Sequence, residues 1–435
     1  MGGTTVNLKK ALLTSSATAL LPYDLEPTLH EELIAMQPLL QLINLDQASA
    51  KTHEYSLRTA HPQGWFEGES TPANPLASTY VRKSVVLKIG RIWGGVTGFA
   101  RSVDERFIDA LSAELEGSLQ GMSDLLEYSI LFGCATDITA YTGDAYQTTG
   151  LLPIIFNAGT NLVDGGSNKI DLADLDSALA LAKNYRQVRN DPYMWFMSMK
   201  MKQVVDGLQT KVQLPLQSVT LPDGKIEMAA YGGAPIFETN YTQPGTTSPA
   251  TVSALAAGGS LPDTIAYTHQ ISSVTYNGEC IAGAAGTQRT TGGGNNKINL
   301  TWTHDDNANL YIIWRKTASG TYNLLDIVAA RTYDAAGTVN GNVEAYSDAG
   351  AKTENSAVHP LVTGEEQIVL ANRHSTRGIN LLGKVDDMGR QLENFLTYVE
   401  LARTKDTYDY MLKAYFAFLT RYANLHAVIR HVKLV

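Results

Sequence analysis

The chain has 435 residues, of which 44% are hydrophobic and 18% are charged. This composition excludes a disordered chain, and the length predicts roughly two to four domains. With a net charge of -9 and two cysteines, the chain has no overall attraction to nucleic-acid phosphates and no disulfide framework. No run of about eighteen apolar residues is present to span a membrane. The low share of charged residues favours a surface that is buried against neighbours.

The first 50 residues predict an extended arm. Lys9 and Lys10 precede a short apolar stretch that resembles a secretory signal, but Thr14–Ser16 interrupts it, so a polar arm is favoured. Prolines recur along the segment and leave room for one short helix near residues 28–36. The apolar residues expected to lie on another surface are Leu29, Leu33, Leu39, Leu40, Ile43 and Leu45.

Residues 52–100 predict a long β-hairpin. Its first strand is His53–Thr59, and its return strand, Tyr80–Phe99, alternates apolar and polar residues. A two-stranded hairpin of this length is not stable alone, so it needs a second surface. The tip, residues 61–79, contains the apolar pair Trp65 and Phe66 followed by the acids Glu67 and Glu69. Folding of the two aromatic rings back onto their own hairpin is the alternative.

Residues 102–132 give the clearest helix pattern. Ser102 is a suitable N-cap, and the acids that follow it suit the positive end of a helix. A helix of this length is about 45 Å long and is expected to end near Gly133 and serve as a spine. Its apolar stripe consists of Val103, Phe107, Leu111, Leu115, Leu119, Met122, Leu126 and Ile130.

Residues 133–246 predict mixed helices and strands. A helix over about 171–189 is followed by a break at Asp191-Pro192, a short buried strand Tyr193–Met197 and a second helix over about 199–209. The segment Tyr231–Thr239 contains two glycines and a proline, and it predicts a turn that leads into another strand.

Residues 248–356 differ in composition from the rest of the chain, because Thr, Gly, Asn, Ala and Ser dominate and helix patterns vanish. Short strands separated by turns predict a β-sandwich inserted through loop-like flanks. The expected strands are Ile265–Tyr276, Lys297–Thr303, Tyr311–Lys316 and Tyr322–Val328. After the insertion, a hairpin formed by Leu396–Ala402 and Tyr408–Leu419 and a last strand over 427–434 are expected.

No motif points to catalysis, a cofactor or a metal. His30-Glu31-Glu32 lacks the second histidine of a zinc protease, and Gly292–Gly294 lacks the lysine of a phosphate-binding loop. His304-Asp305-Asp306 is expected to be a solvated turn, and Cys134 a buried structural thiol. For most of Arg421, Arg430, His431 and Lys433, a solvated strand face is expected rather than phosphate binding. We therefore predict no enzyme.

The order of these elements (arm, long hairpin, spine helix, mixed region, hairpin and last strand) resembles the major capsid proteins of tailed bacteriophages. The segment Tyr231–Ile236 and the hairpin from Tyr398 to Phe418 are similar to corresponding parts of that family. The resemblance implies an α+β fold of the Hong Kong 97 type. Its parts would be an N-arm (1–52), an E-loop (53–100), a P-domain (101–135 and 386–435), an A-domain (136–247 and 357–385) and the inserted sandwich (248–356).

The inserted segment resembles immunoglobulin and fibronectin type III domains. Leu300-Thr301-Trp302 is similar to their early tryptophan strand, and Tyr311–Lys316 to the next strand. The strand from Tyr267 to Glu279 resembles their late tyrosine strand but comes first, which suggests a permuted order. Trp302 and Trp314 are expected to fill the sandwich core. The sandwich is expected to project outward, fold independently and be dispensable for shell closure.

The family implies a homo-oligomer: hexamers and pentamers that form an icosahedral shell around double-stranded DNA, which is contacted without sequence specificity. A portal and a separate scaffolding protein, assembly in the host cytoplasm and a place in the virion are also implied. A cargo compartment of the encapsulin kind is the alternative, and a surface adhesin is less favoured. Without a lysine in 61–79, no covalent cross-links between subunits are expected. The candidate contacts between subunits are Trp65, Phe66, Glu67, Glu69, Arg82, Lys83, Arg403, Lys405 and Asp406.

Overall fold

The computed structural model describes residues 43–62, 64, 66, 77–97, 110–184, 190–211, 217–220, 227–334, 338–384, 396–401 and 406–434. The predicted arm up to residue 42, the start of the spine helix at Ser102 and the tip residues Trp65, Glu67 and Glu69 lie outside these ranges. The described part is α+β, with few helices and many strands.

The helices are α1 (Ala110–Leu131), α2 (Leu151–Ala158), α3 (Leu172–Ala182) and α4 (Met199–Lys211). The strands before the insertion are β1 (Asn44–Ala48), β2 (Thr52–Ala60), β3 (Thr79–Val86), β4 (Lys88–Thr97), β5 (Leu162–Lys169), β6 (Tyr193–Met197), β7 (Gln217–Thr220), β8 (Glu227–Tyr231) and β9 (Ala234–Glu238). The inserted region contains β10 (Gly245–Thr247), β11 (Val252–Ala256), β12 (Ala266–Thr275), β13 (Gly278–Ile281), β14 (Arg289–Thr290), β15 (Lys297–Thr301), β16 (Ala308–Thr317), β17 (Asn323–Ala329), β18 (Arg331–Tyr333), β19 (Val339–Asn342) and β20 (Ala345–Asp348). The chain ends with β21 (Glu365–Asn372), β22 (Ile379–Lys384), β23 (Leu396–Glu400), β24 (Thr407–Thr420) and β25 (Ala427–Lys433).

A five-stranded sheet packs against α1. Its order is β1-β22-β24-β23, and β4 pairs with β24 along the whole of β4. Tyr410 and Phe416 of β24 point into the core that Met122 and Leu126 of α1 also fill. The hydroxyls of Ser118 and Tyr410 are 2.8 Å apart and join helix and sheet. The helix is thus the spine that its sequence pattern predicted.

A seven-stranded mixed sheet, in the order β5-β25-β21-β6-β9-β8-β7, forms the second layer. Its central strand β6 is buried on both faces, because Trp195 packs in the core beneath α3 and α4 while Phe196 packs in the core shared with α1. Asp171 caps α3 through a reciprocal capping box with Asp174. A tight turn at Gly232-Gly233, both with positive φ, joins β8 to β9.

The inserted region contains two facing sheets. The larger has the order β10-β13-β12-β16-β17 with β14 beside β12, and the smaller has the order β11-β15-β20. Tyr267, Ile313 and Leu300 lie between them, and the rings of Trp302 and Tyr311 meet edge to face with centroids 5.2 Å apart. The predicted strands are confirmed within a few residues. The sheet begins at β10, just before the predicted boundary at residue 248.

The second face of the larger sheet is buried as well, which differs from the expected independent sandwich. Trp314, Ile312 and Leu324 belong to the core that contains Met122 and Phe156 of the rest of the chain. Trp314 therefore does not fill the space between the two sheets. Adjacent residues of a strand face opposite sides, so β16 contributes to two cores at once. The inserted region is part of the main hydrophobic core.

Polar contacts reinforce this junction. Arg430 of β25 forms a bidentate ion pair with Glu279 of β13, with N–O distances of 2.9 and 3.0 Å. The backbone N–H and the hydroxyl of Thr142 donate to Asp326 of β17 at 2.7 and 2.6 Å. Arg430 and His431 are buried, so the expectation of a solvated strand face is wrong for them. A side chain on the last strand of a central sheet faces packed neighbours, not water.

Strand pairing crosses the domain boundaries expected from the sequence. Strand β22 lies within the predicted A-domain segment but pairs with β24, and β25 lies within the predicted P-domain segment but pairs with β21 and β5. The predicted return strand of the hairpin is two strands, β3 and β4, and β4 joins the five-stranded sheet. Sequence order shows where strands occur but not which strand each one pairs with.

The helices differ from the sequence analysis in three respects. The second helix of the middle region, α4, is confirmed, but α3 ends at Ala182, earlier than predicted. Leu119, expected in the apolar stripe of α1, is exposed. Helix α2, which is buried and begins directly after Gly150, was not predicted. Cys134 is buried, and burial raises the pKa of its thiol to about 12, as expected of a structural cysteine.

Candidate assembly surface

Strands β2 and β3 form a hairpin that, within the described residues, pairs with no other strand. Its register runs from Thr52 opposite Val86 to Ala60 opposite Thr79. The base of the hairpin is anchored, because Tyr55 packs on a small cluster that contains Leu419 and lies beneath the guanidinium of Arg421. Towards the tip, most side chains are exposed. The hairpin therefore extends from the subunit, as its sequence predicted.

The structure places four of the candidate contact residues and does not bring them together. Arg403 and Lys405, like the tip residues named above, lie outside the described residues. Phe66 is fully exposed near the tip. Arg82 and Lys83 point to opposite faces of β3, and Arg82 forms a surface ion pair with Glu54 at 3.3 Å. Asp406 is exposed immediately before β24. Because Thr407 pairs with Thr97 at the far end of β4, Asp406 lies about 30 Å along the sheet from β3.

The outer face of the β4–β24 pair is a candidate binding surface that the sequence analysis missed. We call it the outer face, and its residues are Ile89, Arg91 and Trp93 of β4 and Met411, Lys413 and Tyr415 of β24. Trp93 is 62% exposed, which is unusual for the largest apolar side chain. The available sequence signal was the position of Gly90 and Gly94, which directly follow Ile89 and Trp93.

The inner face of the same pair explains those glycines. Gly94 lies opposite Tyr410, and a Cβ atom at Gly94 would lie 2.4 Å from the Tyr410 hydroxyl. Gly90 packs in the same way on Phe416 and on Leu125 of α1. Close packing of α1 on the inner face fixes which side chains of β4 face outward, so Trp93 and Ile89 are directed away from the core.

The outer face carries a like-charge pair. Arg91 lies directly opposite Lys413, and within the described residues neither forms a salt bridge. Like charges in direct cross-strand register destabilise a sheet, so this arrangement is unfavourable in the isolated subunit. Trp93 and Tyr415 flank the two cations. An apolar, positively charged face of this kind suits an acidic and aromatic partner.

Among the described residues, no group of three or more His, Cys, Asp or Glu side chains is arranged to hold a metal ion. Among the described helices, none is long and apolar enough to cross a membrane. His304, in the turn expected to be solvated, receives a contact of 3.1 Å from the hydroxyl of Tyr311, and the backbone N–H of Asp305 donates to the same hydroxyl at 2.8 Å.

Comparisons with known proteins agree with this description. Residues 14–228 match the family model of the SU10 major capsid protein. No curated protein sequence matches the chain. The holo-SrpI encapsulin of Synechococcus elongatus PCC 7942 superposes with a TM-score of 0.51 at 12% identity, covering 98% of this chain and 97% of that chain. At such low identity, the superposition establishes the fold alone.

Two further solved structures are similar at lower scores. The capsid of a native GTA particle has a TM-score of 0.48 at 10% identity, covering 97% of this chain and 99% of that chain. A structure from Microbacterium phage Oxtober96 has a TM-score of 0.48 at 14% identity, covering 96% and 99%.

An α+β subunit with a spine helix, two sheets and a long projecting hairpin defines the class of shell-forming proteins with the Hong Kong 97-type fold. The match over residues 14–228 identifies the chain as a major capsid protein. Its function is structural: copies of the chain form the shell of a phage head.

Proposed function

We propose that the subunits assemble through hexamers and pentamers into an icosahedral shell that encloses the double-stranded DNA of a tailed phage. The observation that carries this proposal is the β2–β3 hairpin, whose exposed strands extend from the subunit without a covering layer among the described residues. A two-stranded hairpin needs a further surface to be stable, and in a shell the neighbouring subunit supplies it.

The proposed acceptor for the hairpin tip is the outer face of β4 and β24 on a second copy. The tip sequence contains Trp65 and Phe66 followed by two glutamates, and the outer face presents Trp93 and Tyr415 around two cations. Burial of the aromatic side chains removes apolar surface from water at about 25 cal/mol per Å². The glutamates relieve the repulsion between Arg91 and Lys413. Apolar character and charge thus support one occupant, the tip of another subunit.

Deletion of residues 62–76 tests the first part of this proposal. The shortened subunit is expected to fold, because the deletion leaves β2, β3 and the cores intact, but it should not form stable shells. Folding is followed by circular dichroism, and assembly by electron microscopy. Shells of normal size and stability from the deletion variant would contradict the proposal.

Charge reversal tests the acceptor surface. The variant Arg91→Glu/Lys413→Glu should lose assembly, and adding Glu67→Lys/Glu69→Lys in the same chain should restore it, since the attraction is then reversed in sign. Lys169→Glu, on exposed β5 of the other sheet, is the matched control and should assemble normally. Failure of the fourfold variant to assemble better than the outer-face double variant would contradict the pairing of tip and outer face.

Further partners follow from the family. The proposed partners are a scaffolding protein and a portal during assembly in the host cytoplasm, and packaged DNA that is contacted without sequence specificity. A net charge of -9 is compatible with loose contact, because the shell does not hold the genome by strong electrostatic attraction.

Subunits are proposed to be free of covalent cross-links. A ladder of multimers from boiled, reduced particles on a denaturing gel would contradict that part.

The alternative is a compartment shell that holds protein cargo, favoured by the fold shared with the encapsulin structure. The two functions differ in what the particle contains. Particles purified from the natural source should contain double-stranded DNA that is protected from nuclease if the chain forms a phage head. A protein cargo without nucleic acid would support the compartment.

The two-sheet inserted region is proposed to be a variant of the immunoglobulin-like sandwich.

A further inference from the structure

A cavity lies where the inserted region meets the seven-stranded sheet. It has a volume of about 350 Å³, and its walls come from β5, β21, β25, the turn between β16 and β17, and the segment before β21. Two histidines, His359 and His431, line it, with ring centroids 6.1 Å apart. Neither histidine has a part in the proposed contacts between subunits.

Each of the two rings is oriented through its Nδ1 atom. His431 Nδ1 lies 2.7 Å from a carboxylate oxygen of Glu365, and His359 Nδ1 lies 2.7 Å from the carbonyl oxygen of Tyr322. A carbonyl accepts only, so His359 donates from Nδ1, and the carboxylate likewise favours the proton on Nδ1 of His431. In each neutral ring, Nε2 then carries a free lone pair. His431 is only 8% exposed, and its Nε2 is buried without a hydrogen-bond partner among the described residues.

The support beneath His431 is itself fixed. Glu365 accepts hydrogen bonds from the hydroxyl of Ser167 and the backbone N–H of Val362, so its carboxylate is held in place on three sides. The backbone of His431 has a φ of 57° at an irregularity in β25. A non-glycine residue in this left-handed region is uncommon, and such strain is typical of functional positions.

We propose that His359 and His431 form a binding site for a divalent transition metal, with Zn²⁺ as the probe ion. Histidines that bind metal typically donate their second ring nitrogen to a carboxylate or a backbone carbonyl, which is the arrangement here. A Zn–N bond is about 2.0–2.1 Å and the ring centre lies about 1.1 Å behind the nitrogen, so two imidazoles at the tetrahedral angle on one ion have centres about 5.1 Å apart. The observed separation of 6.1 Å is about 1 Å longer, so binding of the ion draws the two rings together.

The site provides two protein ligands, His359 and His431. No third His, Cys, Asp or Glu side chain is placed to join them among the described residues. Water in the cavity completes the coordination. The ion would join the segment that returns from the inserted region, through His359, to the last strand, through His431. Metal binding therefore couples the two parts of the subunit, and it should stabilise the folded chain by mass action.

Replacement of each histidine by asparagine tests the site with little change to the fold. The asparagine amide nitrogen replaces Nδ1 as hydrogen-bond donor but leaves nothing at the position of Nε2. Asparagine also tolerates positive φ, which matters at position 431. His61→Asn, at the exposed histidine where the hairpin tip begins, is the matched control. Zn²⁺ bound per chain is measured by equilibrium dialysis of the folded, full-length proteins.

The wild type and His61→Asn are expected to bind one more Zn²⁺ per chain than His359→Asn and His431→Asn. Glu365→Gln should weaken binding about 10- to 100-fold, since it removes only the charge behind His431. Equal binding by the wild type and both asparagine variants would overturn the proposal.

A second measurement does not depend on the folding of any variant. In the wild type, Zn²⁺ should protect His359 and His431 from modification by diethyl pyrocarbonate, as detected by mass spectrometry. Unchanged modification of both residues at saturating Zn²⁺ would also overturn the proposal.

Discussion

The buried ion pair between Glu279 and Arg430 provides a sharp test of how the inserted region is held. The two side chains are 1% and 3% exposed, and the two terminal guanidinium nitrogens, Nη1 and Nη2, each donate to a carboxylate oxygen of Glu279. Arg430 also donates to Gln367 and to the carbonyl oxygen of His359, and its guanidinium lies over the ring of Phe156. Glu279→Gln keeps the shape of the side chain but leaves the Arg430 charge buried without a counter-ion.

Removing one partner of a buried pair typically costs about 3–5 kcal/mol, because the remaining charge keeps its desolvation penalty. The unfolding entropy is about 2.1 cal/mol/K per residue, so for a cooperative unit of 435 residues this loss lowers Tm by about 3–6 °C. The same substitution at the exposed pair of Glu54 and Arg82 should cost less than about 1 kcal/mol. Glu54→Gln is therefore the matched control.

Thermal unfolding of the unassembled subunit is the assay, followed by calorimetry and circular dichroism. The double variant Glu279→Gln/Arg430→Met should be less destabilised than the sum of its single variants, since neither charge remains buried without a partner. A Glu279→Gln variant that melts at the same temperature as Glu54→Gln would refute the reasoning. Strict additivity in the double variant would refute it as well.

Three further outcomes are expected. Gly94→Ala should destabilise the subunit by about 1–3 kcal/mol, because the new Cβ atom would collide with Tyr410. Gly117→Ala in α1 should not destabilise it, because no atom lies within 4 Å of the new Cβ atom. An unchanged Tm for Gly94→Ala would contradict this prediction. Burial lowers the pKa of His426 to about 3. Between about pH 6.5 and pH 3, the unfolded chain therefore binds a proton that the folded chain does not, so the free energy of unfolding falls as the pH falls. His426→Gln should reduce this slope by up to about 1.4 kcal/mol per pH unit, and an unchanged slope of stability between pH 6.5 and pH 4 would contradict the assignment. Replacement of residues 248–356 by a Gly-Ser linker should yield aggregates rather than shells, because the replacement removes Trp314 and its neighbours from the main core. Closed shells seen by electron microscopy would contradict this, since they would show that the core tolerates the loss.

Local patterns in the sequence determined most elements. The stripe from Leu111 to Ile130 predicted the spine helix, because side chains three or four positions apart share one helix face. The glycines Gly232 and Gly233 marked a turn before a strand, and both have positive φ in the structure. The order of these elements was enough to indicate a capsid protein.

The candidate assembly surface was only half predictable. The hairpin and its apolar tip are consecutive in sequence, so their exposure could be argued from length and pattern. The outer face combines β4 with β24, more than 300 residues apart, and only their pairing in register brings Arg91 next to Lys413. No local signal in either strand shows that pairing.

Tertiary structure alone decided which faces are buried. Arg430 and His431 belong to a strand whose sequence is compatible with a solvated face, yet β21 and β5 enclose it and Glu279 supplies the counter-charge. The composition of residues 248–356 showed a separate β-rich segment, but not that Trp314 would pack into the core shared with α1. Composition and periodicity report local backbone preference, whereas burial depends on contacts between residues far apart in sequence.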